Sequence, residues 1–549
     1  MRPRLTSALV LLAAGLRGQE AEQPVYRATT RLVEFSVVAL DKQGHAVADL
    51  KKDEIEIFDK GKRRPVAFFR FEGAAQKRVV QPLPQATYSN RVEYSPGPPR
   101  NITALVLDTL NTPPRQTMWV RAQLARYLKA LAPETRVAVY HLGAELKVLH
   151  DFTDDYEALR GRVEKSVLGM PLQAEANINE MVRDAEMLLQ MFPDDPVLEE
   201  MLRNQIEIEG MANAGVRQRR LEGTLAALES LGTHLAGIPG RKNLVWIGGG
   251  ISMLSITGAM GFEPHGGWQS YEQKVEESSR RLAQQGVALY VVDARGLTVP
   301  QDVAADVGRP MPVRGRGRFE RQQQAEETSA DPLPAAFKMA DITGGRVIRN
   351  TNDPAEGMRL AAEDVRGAYT VAFYAEGEPD GKWHGLKVRT RRKGVRLAYR
   401  QGFQAEDETG PTEWSVAEWR AAAVDPLGSS SIGVDAFCRA ADEGPAGTLT
   451  LLMQLEPSHL HFRKVESRIV AEVEIGLAEK TATGPVDFVR EVGKISYPAN
   501  RERGISPADT RYPRTWKPGE GVTHIRVIVR DKYTGRHGTL DVPVPKAAR

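Results

Sequence analysis

The chain has 549 residues, 41% hydrophobic and 26% charged, which is ordinary for globular protein but too long for one core. Roughly three to four domains are expected at that length. The formal charge of +3 sits at the start, because residues 1–18 hold Arg2, Arg4, Arg17 and no acid; the remainder is formally neutral, which excludes nucleic-acid or anionic-membrane binding by charge alone.

Residues 1–18 read as a secretory signal: Arg2 and Arg4, a short apolar run, then Ala13-Ala14-Gly15 as small residues for cleavage. The run is too short to span a bilayer, and no later window is apolar enough to do so. The chain is expected to be exported, to a periplasm or outside the cell, with no transmembrane segment. Its single cysteine, Cys438, excludes intramolecular disulfides and CxxC-type metal or redox sites, and reads as a buried structural thiol.

Residues 25–75 are strand-rich. RLVEFSVVALD leads into a turn at Gly44, and EIEIFDKGKRRPVAFFRF has a hairpin signal at Asp59-Lys60-Gly61. Residues 81–100 carry five prolines and read as a linker or edge segment.

From Asn101 strands and helices alternate, which predicts a mainly parallel sheet covered by helices on both faces. NITALVLDTLNT is a buried-type strand ending on Asp108, followed by Thr109, Asn111 and Thr112. Val120, Leu124, Tyr127 and Leu128 then recur at helical spacing. RVAVYHLG and ELKVLHDF are close enough to form a hairpin. A polar, Met-rich helical region covers about 178–219, and a second helix, with Leu225, Leu228, Leu231 and Leu235 on one face, covers 221–238. NLVWI runs into Gly248-Gly249-Gly250, and VALYVVDARGL ends in a turn at Asp293. Residues 298–328 read as a loop, and AYTVAFYA as a strand.

Residues 382–403 return to strand pattern, and 411–549, beyond an acidic linker, are mostly β and suit a two-sheet sandwich. The returning segment is too short to bury a sheet alone, so it is expected to pair with residues 25–75.

Asp108 with its hydroxyl neighbours has the chemistry of ligands for a hard divalent cation. The structural alternative is a strand-end acid capping the next helix. The segments LVLDTLNTP, RVAVYHLG, LKVLHDFTDD, IPGRKNLVWIGGG, LYVVDARGL, DITGGRVIRNTND and YTVAFYAEGEPDGKWHGLKVRTRR together resemble bacterial VWFA-related proteins of acidobacterial type, which contain a von Willebrand factor A domain. The N-terminal VVALDKQGHAVADLKKDEIEIFDKGK is similar to the same family.

The resemblance implies a Rossmann-like α/β domain over residues 101–375, flanked by β-sandwich domains. It also implies a binding module that is not an enzyme, with a magnesium-type ion completed by a partner's acidic side chain. Asp108 and Thr112 match the first and last positions of the family's Asp-x-Ser-x-Ser loop, and Thr224 matches the threonine of the second loop. Leu110 stands where the first hydroxyl belongs, and Asn111 points elsewhere if the loop keeps its shape. Gly248, Gly249 and Gly250 occupy the stretch that would hold the strand-four Asp. The metal set Asp108, Thr112 and Thr224 is thus degenerate, metal-free or only weakly occupied by Mg2+ or Mn2+.

Other constellations are set aside. Gly237–Lys242 lacks phosphate-loop spacing, and no HExxH or GxSxG occurs. Asp154-Asp155 and Asp194-Asp195 fit helix caps and turns. Five arginines over 309–321 fit a solvated loop. The leading expectation is an exported, non-catalytic adhesion or interaction module binding an unidentified protein, with no nucleic-acid partner. The alternatives are a metal-assisted hydrolase using Asp108 and Asp293, and a structural envelope scaffold.

Overall fold

The computed structural model describes residues 31–73, 83–91, 94, 102–112, 114–129, 131, 136–153, 155–166, 196–238, 240–248, 267–294, 333–349, 353–377, 380–405, 413–425, 427–481, 484–498 and 505–545. The secretory signal, the Arg-rich loop over 309–321, Gly249, Gly250, Asp154 and Asp194-Asp195 lie outside them.

Four strands come first: β1 (Arg31–Leu40), β2 (Ile55–Asp59), β3 (Lys62–Arg64) and β4 (Phe68–Phe71). Lys60 and Gly61 join β2 to β3 with φ of 48° and 79°. Two left-handed residues in a two-residue loop twist the chain in the sense that paired strands require. Next comes β5 (Thr87–Ser89).

The α/β unit holds β6 (Ile102–Asp108), β7 (Val137–Leu142), β8 (Leu146–Thr153), β9 (Lys242–Gly248), β10 (Val287–Asp293) and β11 (Arg346–Ile348). Its helices are α1 (Pro114–Lys129), α2 (Tyr156–Lys165), α3 (Pro196–Ala236), α4 (Gly267–Gln284), α5 (Leu333–Thr343) and α6 (Pro354–Arg366). The strand order is β11-β10-β9-β6-β7-β8. All neighbours are parallel except β7 and β8, which form an antiparallel hairpin at the edge.

Every residue of β6, β7, β9 and β10 is buried, as continuous apolar runs covered on both faces must be. Ile102, Ala104 and Val106 meet Leu228, Leu231, Val275 and Met339 from α3, α4 and α5. Leu105 and Leu107 meet Val120, Leu124, Leu159 and Met358 from α1, α2 and α6 on the other face.

The two helical readings over 178–219 and 221–238 merge from Pro196 onward into one helix, α3. No proline interrupts 197–236, and its glycines are tolerated within a helix at about 1 kcal/mol each.

The strands that follow return to the first unit: β12 (Ala368–Ala375), β13 (Trp383–Thr390), β14 (Arg396–Tyr399) and β15 (Gly402–Gln404). One sheet has the order β14-β1-β12-β4 and the other β15-β13-β2-β3. Phe35, Val37, Ile57, Phe373 and Val388 from both sheets share one core. Thus residues 31–71 and 383–404 pair across the whole α/β segment, antiparallel in β1–β14 and β2–β13. AYTVAFYA falls within the 101–375 bounds expected for the α/β domain. It leaves that unit and pairs with β1 and β4, because antiparallel partners on both sides satisfy its backbone there.

The last region contains α7 (Val416–Val424), β16 (Val434–Ala440), β17 (Leu449–Leu455), β18 (Arg463–Val465), β19 (Arg468–Thr481), β20 (Gly484–Pro498), β21 (Arg511–Trp516), β22 (His524–Asp531) and β23 (His537–Pro543). Its sheets, β21-β17-β16-β5 and β18-β19-β22-β23 with β20 on β19, share a core that includes Cys438. The expectation of a separate unit over 411–549 is corrected in two respects. β5, from the proline-rich segment, completes one sheet, and Asn90 fixes it by bonding Ser429, Ile432 and Val434. Leu427 joins the α/β core, and the Ser430 hydroxyl donates to the His234 carbonyl at 3.1 Å.

Candidate functional site

β6 is the pivot of the central sheet: the chain passes from it to β7 on one side and later to β9 on the other. The carboxyl ends of two strands whose connections diverge leave a crevice, and open α/β sheets bind ligands there. Asp108 ends β6, and Gly248 ends β9 beside it.

Asp108 is 1% exposed, yet its carboxylate is saturated with donors. Oδ1 accepts the Asn111 backbone N–H at 2.9 Å. Oδ2 accepts both the Asn111 side-chain Nδ2 and the Trp246 indole Nε1, each at 2.9 Å. Burial pushes the Asp108 carboxyl above its ordinary value, while the donors from Asn111, Trp246 and Leu110 pull it back.

The second Nδ2 hydrogen of Asn111 goes to the Thr224 hydroxyl at 2.9 Å, and Thr224 donates onward to the Arg220 carbonyl at 2.8 Å. The amide orientation follows from chemistry, since an oxygen in that place would face a carboxylate oxygen. A directed chain therefore runs from indole and amide into Asp108, and from the amide through Thr224 to α3.

The three metal-ligand candidates do come together. Asp108 and Thr224 lie on opposite sides of the Asn111 amide nitrogen, and Thr112 Oγ1 borders Gly248 beside Asp108. The expectation that Asn111 points elsewhere is corrected: its side chain is the bridge. A cation bonded to both Asp108 Oδ2 and Thr224 Oγ1 has to displace that nitrogen.

Neither remaining ligand position fits a cation. Leu110 is 8% exposed and belongs to the core under α3, where the space over the Gly223 α-carbon accommodates it. A Cβ on Gly248 would lie 2.9 Å from both Asp108 Cβ and Thr112 Oγ1, so no carboxylate side chain fits at that residue. The residues present supply one carboxylate and neutral hydroxyls, a donor set poor for a divalent ion. Among the described residues no group of three or more His, Cys, Asp or Glu is placed to hold a metal.

Asp293 sits on the far side of β9, paired in register with Gly248. One strand separates it from Asp108, which at the usual strand spacing puts their α-carbons about 10 Å apart. The Ala294 N–H closes the strand end by donating to the Gly248 carbonyl at 2.7 Å.

A further pair had no signal at the spacing of a sequence motif. Thr109 Oγ1 lies 2.8 Å from His141 Nε2 and 3.1 Å from the Leu142 carbonyl. Burial, then the Lys147 ammonium, hold His141 below its ordinary value, so the ring is neutral. Thr109 is 0% exposed, which places this hydroxyl out of a substrate's reach. The pair ties the β6 turn to β7. Trp246 was also missed, because its distance from Asp108 in sequence hides a contact made only by adjacent strands.

No protein-family model matches the chain, and no curated protein matches it. Among solved structures, von Willebrand factor type A from Catenulispora acidiphila is 9% identical, with 81% of this chain and 66% of that chain covered and a TM-score of 0.23. An aerotolerance-related membrane protein from Bacteroides fragilis is 11% identical over 48% of this chain and 98% of its own, with a TM-score of 0.22. The protein BatB from Bacteroides thetaiotaomicron is 13% identical over 48% and 97%, with a TM-score of 0.21. Superpositions this loose add nothing to the fold and site described from the chain itself.

Proposed function

We propose that the chain is a non-catalytic protein-binding module of von Willebrand factor A type, whose binding face lies at the carboxyl ends of β6, β9 and β10. The observation that carries this reading is the Asn111 bridge at the switch point of the sheet. The acid that would hold a catalytic or adhesive cation instead accepts three hydrogen bonds from Asn111 and Trp246, bracing the Asp108–Thr112 turn. A braced turn at a switch-point crevice supports recognition by shape and loop hydrogen bonds, and Asp108 has no acceptor capacity set aside for chemistry.

The signal-like residues 1–18 support export, and the resemblance in sequence supports an adhesion role. No helix among the described residues is long and apolar enough to cross a membrane. Affinity capture from the exported fraction, with and without chelator, tests this reading. A specific protein retained in both conditions, and lost with Asn111→Ala, supports it. A partner released by chelator and restored by magnesium would replace it with metal-dependent adhesion. Turnover of a hydrolysable substrate, abolished by Asp293→Asn, would favour the hydrolase.

A further inference from the structure

The amino ends of the central strands lie at the opposite pole from Asp108, about 20 Å away along a seven-residue strand. There the three units line a half-open cavity of about 770 Å³. That volume is within the range of small-molecule sites and exceeds what one phosphate fills. Its wall holds Arg241 and Lys242 from the start of β9, Arg281 from α4, Arg400 beyond β14, and Arg536 from the turn between β22 and β23. Glu34 of β1 is the one acidic side chain in the described wall, and it is exposed.

Arg281 is neutralised by Glu229 at 2.7 Å. Arg241 donates to the Asn243 side chain, the Tyr290 hydroxyl and the Gly344 carbonyl. Arg400 donates to the backbone carbonyls of Ala283 and Glu34. These bonds hold the Arg241 and Arg400 guanidinium groups in place along the wall.

Lys242 is the decisive residue. It is 5% exposed, and among the described residues its ammonium has a single hydrogen-bond acceptor, the Ile238 carbonyl at 2.8 Å. An ammonium has three donors, and a buried charge is ordinarily paired. Burial, then the nearby Arg400, lower its pKa to about 8, so it still carries its charge at neutral pH. Gly286, at φ +73°, passes so close that a Cβ there would lie 3.2 Å from Nζ, which keeps the backbone against the ammonium.

We propose that this cavity binds a small polyanion, a ligand bearing two or more phosphate or carboxylate groups, with Lys242 as its buried anchor and Arg400 and Arg536 closing around it. Because the wall comes from all three units, the bound anion ties them together. This site is independent of the strand ends at the other pole.

Isothermal titration of the full chain with tripolyphosphate and with citrate, at matched ionic strength, tests the proposal. One-site binding of either is expected; tripolyphosphate alone identifies a phosphoryl ligand, and citrate alone a polycarboxylate. Lys242→Met, checked for an unchanged circular dichroism spectrum, should weaken binding about tenfold or more, the loss of a charge-assisted contact. Arg536→Gln, a substitution at an exposed rim residue checked in the same way for fold, should weaken it about threefold to tenfold. Binding of neither anion, or binding equally tight in the folded variants, overturns the proposal.

Discussion

Gly248 and Asp108 face each other across adjacent strands so closely that a Cβ on the glycine would lie 2.9 Å from the aspartate Cβ. The same added atom would lie 2.9 Å from Thr112 Oγ1. We predict that Gly248→Ala destabilises the protein by about 1–3 kcal/mol, the range for overpacking a well-filled interior. Gly248→Asp should be worse, and should create no metal site, since the carboxylate has no room to form. Urea unfolding of the three proteins decides it; equal midpoints for wild type and Gly248→Ala would refute the close approach.

The Asn111 bridge makes a second prediction. Asn111→Ala removes two bonds that the side chain makes, to Asp108 and Thr224, and leaves a buried carboxylate with fewer donors. The expected loss is about 1.5–3 kcal/mol, the range for hydrogen bonds to a charged group. Asp108→Ala should lose more, because it strands the Trp246 indole and both Asn111 donors at once. A double-mutant cycle between Asn111→Ala and Trp246→Phe should show coupling through the shared Oδ2; strict additivity would count against the network.

Titration with magnesium and manganese is expected to give no stoichiometric heat at micromolar protein. The reason is geometric, since the Asn111 nitrogen stands between Asp108 and Thr224 and Gly248 supplies no ligand. Stoichiometric binding that disappears in folded Asp108→Ala would show a working site after all.

The acid limb of stability should carry the signature of histidines that are buried or half-buried. Burial, with Arg530 nearby, lowers His537 to about 4 from an ordinary 6.5. Between those values the unfolded chain takes up a proton that the folded chain refuses. Stability therefore falls as pH falls through that window, by up to about 3 kcal/mol from this group. His141 and His234, both lowered chiefly by burial, add in the same direction. Asp108 is raised, so it acts with the opposite sign, its contribution lessening stability as pH climbs above 3.8. His537→Gln should flatten the slope of unfolding free energy between pH 6.5 and 4, and an unchanged slope would exclude His537 as a source.

Cys438 is buried in the core of the last region, and burial pushes its thiol up to about 11. A thiol reagent at pH 8 should therefore label the native chain far more slowly than the chain in denaturant. Rapid labelling of the folded protein would place the side chain at the surface.

Sequence by itself determined the elements whose causes are local. The apolar runs of β6, β9 and β10, the hairpin of β7 and β8, and the Lys60-Gly61 turn all follow from short-range periodicity or backbone freedom. Sequence also placed Asp108 at a strand end and singled out Thr112 and Thr224. Tertiary structure alone decided where β12 and β5 pair. β12 left the α/β unit for β1, and β5 crossed to β16, because backbone pairing is satisfied by whichever edge the fold presents. It alone set Trp246 against Asp108, turned Asn111 inward as a bridge, and showed why residue 248 is a glycine. The Trp246–Asp108 contact spans 138 residues of chain, and no local pattern records a meeting that only the packed sheet produces.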